Sequence, residues 1–72
     1  MKTFEIIKLL NRKGWQPVRS IGNHQQFSHP DVANVVTVPH SLSDLKPATV
    51  QQIVKDAKLD YFELGQITVR NP

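Results

Sequence analysis

Apolar residues near the start of the chain fall at Ile6, Leu9 and Leu10, with Ile7 beside them, a spacing that gathers them on one side of a helix. Thr3 is placed to cap that helix. Glu5 suits its positive first turn, and Arg12 and Lys13 suit its negative last turn. Gly14 supplies a left-handed stop, so the pattern predicts a helix over about 3–13. The period then shortens to two. Segments 15–21 and 24–29 read as strands joined by Gly22-Asn23, a loop in which glycine takes the positive φ of a type II′ turn. Such a turn sets a register in which Ile21 faces His24, Arg19 faces Gln26 and Val18 faces Phe27. Alternation puts Val18 and Phe27 on the core face, and Ile21, His24, Arg19 and Gln26 on the outer face.

His29 to Asn34 reads as a turn or short loop, followed by the β-branched strand Val35–Val38, which Pro39 ends. A loop from His40 to Lys46 leads to a second helix with Pro47 at its first position. Val50, Ile53, Val54 and Ala57 form its apolar stripe, and Gln51, Gln52, Lys55 and Lys58 its solvent face. Asp60 is placed to cap a further helical turn, with Tyr61, Phe62 and Leu64 packing back, and 66–70 has strand character without an assigned place. The order predicts an α+β fold, a three-stranded antiparallel sheet with both helices on one face. The other sheet face is left for solvent or a ligand.

With 72 residues the chain has room for one thin core and no cofactor domain. Its net charge of +3 suits a polyanionic partner, although small basic domains without one are common. There is no cysteine, which excludes disulfides and thiolate zinc sites and fits a reducing, cytoplasmic setting. The first apolar stretch is broken by Glu5 and Lys8 and lacks a small-residue cleavage site, so it does not read as a signal peptide. No segment approaches the length of a membrane span.

Several short pieces occur in a telling order: Arg12-Lys13-Gly14-Trp15, Gly22-Asn23-His24-Gln25-Gln26-Phe27, His29-Pro30, Val36-Thr37-Val38-Pro39-His40 and Asp44-Leu45-Lys46. The helix from Thr49 to Ala57 follows them. Together, over about residues 3–64, they resemble the HicA toxins of type II toxin–antitoxin systems. The resemblance implies an αβββα fold like a double-stranded-RNA-binding domain, with an RNA-cleaving domain over 1–64 and a tail over 65–72. It also implies ribosome-independent cleavage of mRNA and a HicB-like antitoxin as partner; metal-independent cleavage without a cofactor is expected from the chemistry itself, which requires no metal. The family's catalytic histidine falls on His24. The family usually has serine where this chain has Asn23, a residue equally suited to the turn.

The chemistry fits those residues. RNA carries its own nucleophile, the ribose 2′-hydroxyl, and a histidine near neutrality can act as general base or acid. Gly22 and Asn23 form the turn that positions it. On position alone, a histidine on an open sheet face is ordinarily a solvated surface residue, and it is the motif that assigns His24 a role. Arg19, diagonal to His24, is a candidate phosphate contact or a plain exposed arginine. Lys13, Lys46 and Gln26 are further candidate RNA contacts, with solubility the alternative for the lysines. His40 is a candidate second proton-transfer group or a structural loop residue. His29 reads as a turn residue on the core side, and Trp15 as core or antitoxin contact. No carboxylate cluster suggests a metal site. A non-catalytic module that grips double-stranded RNA by shape is the alternative function. A third is a protein-docking sheet face.

Overall fold

The computed structural model describes residues 1–60. Its elements are α1 (Thr3–Arg12), β1 (Gln16–Ile21), β2 (His24–His29), β3 (Val32–Pro39) and α2 (Pro47–Asp56). The strands form one antiparallel sheet in the order β1-β2-β3. The helical turn expected after Asp60 and the strand character of 66–70 lie outside the described residues.

Phe27 pairs with Val36, so these two share a sheet face, and Val38 joins them by alternation. All three are fully buried, in one cluster with Ile6, Leu9 and Leu10 of α1 and Ile53 and Val54 of α2. Both helices therefore cover the same face of the sheet. This is the expected α+β arrangement, of the double-stranded-RNA-binding type. Trp15 is buried in the same cluster, which makes it a core residue.

Both helices stop in the same way. In α1 the Trp15 N–H donates to Leu10 O at 2.9 Å and the Gly14 N–H to Asn11 O at 3.1 Å. In α2 the Leu59 N–H donates to Val54 O at 3.0 Å and the Lys58 N–H to Lys55 O at 3.2 Å. These are Schellman caps, each followed by a buried apolar residue, Trp15 or Leu59. The residue that reverses the chain is glycine in α1 (Gly14, φ +96°) but lysine in α2 (Lys58, φ +57°). A side chain in that conformation costs about 1–2 kcal/mol, of which glycine's greater unfolded-state freedom takes back roughly half. Lys58→Gly is therefore expected to stabilise the domain by about 0.5–1 kcal/mol. A thermal melt checks this, and a lowered midpoint would contradict it.

Three expectations need correction. Thr3 does not cap α1; that position belongs to Lys2. The buried Thr3 hydroxyl donates instead to Pro39 O at 3.0 Å and accepts from the Ser41 N–H at 3.3 Å. A threonine that can reach a neighbouring strand end satisfies those backbone groups rather than its own helix.

Val18 does not face Phe27. The pairing runs Arg19 to Gln26 and then Pro17 to Phe27, leaving Val18 in a bulge and 54% exposed. Proline lacks a ladder donor and sits at edge strands and bulges, and β1 is an edge strand exposed along its whole length. Val18→Thr is accordingly expected to change stability by no more than about 0.5 kcal/mol, as for an ordinary surface site. Urea denaturation checks this, and a loss of core-residue size would restore Val18 to the interior.

The third strand begins at Val32 rather than Val35. His29 pairs with Val32 across the two-residue Pro30-Asp31 turn, and a shift in register between Phe27 and His29 absorbs the extra residues of β3. Proline at the first central position pre-sets the φ of such a turn.

Candidate functional site

The β1–β2 hairpin follows the expected register at its tip. Ile21 pairs with His24, Ser20 with Gln25 and Arg19 with Gln26. Gly22 has φ +58°, and Asn23 is not in the left-handed region, as a type II′ turn requires. Since Phe27 points into the core, Gln26 and His24 point to the open face, with Arg19 opposite Gln26 and diagonal to His24. His24 is exposed, and its ring makes no hydrogen bond to the described residues. It is thus held by its backbone with both ring nitrogens open to a ligand.

A side-chain row crosses the sheet beside it. Arg19 Nε donates to Gln26 Oε1 at 2.8 Å, and Gln26 Nε2 donates to Thr37 Oγ1 at 3.3 Å. Thr37 belongs to the Val36–His40 motif piece but is not among the candidate RNA contacts. Its outward direction was readable from the inward Val36 and Val38, but its place opposite Gln26 depends on the β2–β3 register, which a bulge obscures.

His40 also comes to this end of the sheet. Its N–H donates to Asn23 O at 2.6 Å, closing the ladder beyond the His24–Pro39 pair. With Thr3, Phe4 and Ile7 of α1 it borders a depression of about 340 Å³ on the helix side. A second depression of about 300 Å³ lies between it, Asn23, Ser41 and Leu42. His40 therefore neighbours the turn through its backbone and borders the helix layer, whereas His24 stands on the open face.

The lysines are dispersed. Lys13 is the C-cap of α1, beside His29, at the far end of β2 from His24. The length of β2 separates them, roughly 17 Å at the usual rise per residue. Lys46 is the N-cap of α2, next to Leu45, whose N–H donates to Met1 O at 2.8 Å. It lies at the same end of the molecule as His40 but in the helix layer.

His29 is a structural latch. Its Nδ1 accepts the Asp31 N–H at 3.0 Å, so in the neutral ring Nε2 carries the hydrogen and donates to Lys13 O at 3.1 Å. The ring also packs at 5.2 Å, tilted, on Trp15. One imidazole thus ties the end of α1 to the β2–β3 turn, in keeping with its core-side reading.

Among the described residues no three His, Asp or Glu side chains gather where they could hold a metal ion, and no helix is long and apolar enough to cross a membrane. The αβββα order, the helices on one face and the polar open face with its turn histidine define a small domain of the double-stranded-RNA-binding type. A family model described as the HicA toxin of bacterial toxin–antitoxin systems matches residues 5–59. The chain belongs to this HicA family; its role is that of the toxin of such a system, and its counterpart is an antitoxin. No curated protein matches the chain.

Proposed function

We propose that the chain is an endoribonuclease that cleaves mRNA in the cytoplasm, without a metal cofactor, on the open face of the sheet. The observation that carries this is the exposed imidazole of His24, set by the Gly22-Asn23 turn diagonally from Arg19. A phosphodiester gripped by Arg19 has its ribose within reach of that ring. His24 takes the 2′-hydroxyl proton. The 2′-oxygen bonds to phosphorus as the bond from phosphorus to the 5′-oxygen breaks. The imidazolium or water then returns a proton to the leaving oxygen. The products are a 2′,3′-cyclic phosphate and a 5′-hydroxyl. His40 borders the helix layer rather than the open face, so no step of the reaction is assigned to it. Lys13, at the far end of β2, and Lys46, in the helix layer, suit contacts with flanking phosphates. A HicB-like antitoxin that covers the open face would block the same residues.

The test is cleavage of a mixed-sequence RNA by the purified chain in a chelator-containing buffer, beside the same strand fully 2′-O-methylated. Cutting of the first only, with cyclic-phosphate ends, is expected. Cutting of the methylated strand would show a different nucleophile. Saturable RNA binding with no cutting, with or without added divalent metal, would favour the non-catalytic module.

A further inference from the structure

Arginine only donates hydrogen bonds, and that single fact sets the direction of the whole row on the open face. Arg19 Nε occupies Gln26 Oε1, which turns the Gln26 amide nitrogen toward Thr37. That nitrogen donates to Thr37 Oγ1, so the threonine hydroxyl is an acceptor within the row and its own hydrogen is left over. The terminal nitrogens of Arg19 make no hydrogen bond to the described residues. Every hydrogen not used inside the row, from Arg19, from the second amide N–H of Gln26 and from the Thr37 hydroxyl, is therefore available to an outside acceptor. The three side chains come from three adjacent strands, so this line of donors spans the sheet, about 10 Å at the usual strand spacing.

We infer that Gln26 and Thr37 are positioning residues that orient Arg19 and polarise the open face into a donor row for the phosphodiester backbone of single-stranded RNA. The inference rests on the proposed RNA-cleaving role. It adds a residue to which no role was assigned, Thr37, and a reason for glutamine at 26. A glutamate at 26 would accept from Arg19 as well as glutamine does, but it would cancel the arginine's charge and take up the Thr37 hydroxyl hydrogen, removing that donor from the row. A valine at 37 would leave the Gln26 amide without its anchor, whereas serine would keep the anchor.

The test measures binding of a 2′-O-methylated single-stranded RNA to the full chain across a salt series, for wild type, Arg19→Ala, Gln26→Glu, Thr37→Val and Thr37→Ser. Arg19→Ala and Gln26→Glu should each weaken binding about five- to tenfold and lower the logarithmic salt slope by roughly 0.7, the value for one lost phosphate contact on a single strand. Thr37→Val should weaken binding about threefold, and Thr37→Ser should restore it, since only the hydroxyl is needed to hold the amide. A stability change alone would not move the salt slope or be reversed by serine. If Arg19→Ala weakens binding while Gln26→Glu and Thr37→Val match wild type, the positioning role is wrong. If Arg19→Ala also binds as wild type does, the open face is not the RNA surface, and the proposed function falls with it.

Discussion

His24→Ala is expected to lower RNA cleavage by about 100- to 10,000-fold, the range over which a positioned general acid–base accelerates a reaction. The same substitution should leave stability within about 0.5 kcal/mol of wild type, because an exposed ring with no hydrogen bond to the described residues contributes little to the fold. It should also leave RNA affinity nearly intact, since binding is assigned to Arg19 and its row. The three readouts together separate loss of chemistry from loss of structure. Initial rates on a fluorescent RNA, a thermal melt and a binding isotherm supply them. Cleavage that survives at the wild-type rate would remove His24 from the reaction, whatever the family motif implies.

Gly14→Ala should be far more damaging than Gly22→Ala, although both glycines have positive φ. At Gly22 an added Cβ meets nothing within 4 Å, so the change carries only the conformational penalty, about 0.5–1 kcal/mol net of glycine's unfolded-state freedom. At Gly14 the added carbon would lie 3.0 Å from His29 Nε2 and 3.3 Å from its Cδ2. That ring cannot retreat freely. It is bonded at both nitrogens, to Lys13 O and the Asp31 N–H, and it packs on Trp15. Displacing it forfeits hydrogen bonds of about 0.5–1.5 kcal/mol each in addition to the backbone penalty. A total near 2–4 kcal/mol follows, which lowers the melting midpoint of a domain this size by roughly 10–25 °C. Parallel urea titrations of the two variants decide the matter. Equal losses would mean that the His29 latch yields without resistance.

Much of the site is legible in the sequence. Gly22-Asn23 dictates a tight turn, and a tight turn dictates which residues oppose each other for the next few positions. Local chemistry alone therefore puts His24, Arg19 and Gln26 on one face. The helices were legible for the same reason, since the stripe at Ile6, Leu9 and Leu10 and the Pro47 start are written within a few residues. The turn's information ran out at Val18. Pro17 cannot donate to the ladder, and a bulge there costs nothing on an edge strand that no helix covers.

By itself, then, the sequence determined two amphipathic helices, a hairpin with its histidine facing outward, the αβββα order and the resemblance to a toxin family. Only the tertiary structure decided that Thr3 ties α1 to the end of β3, that His29 joins α1 to the β2–β3 turn, and that Thr37 completes a row with Gln26 and Arg19. It also decided that Lys13 and His24 stand at opposite ends of β2. The reason is the range of the forces involved. Turn and capping preferences act over three or four residues, whereas these contacts join positions up to 38 residues apart and exist only once helices and strands have packed.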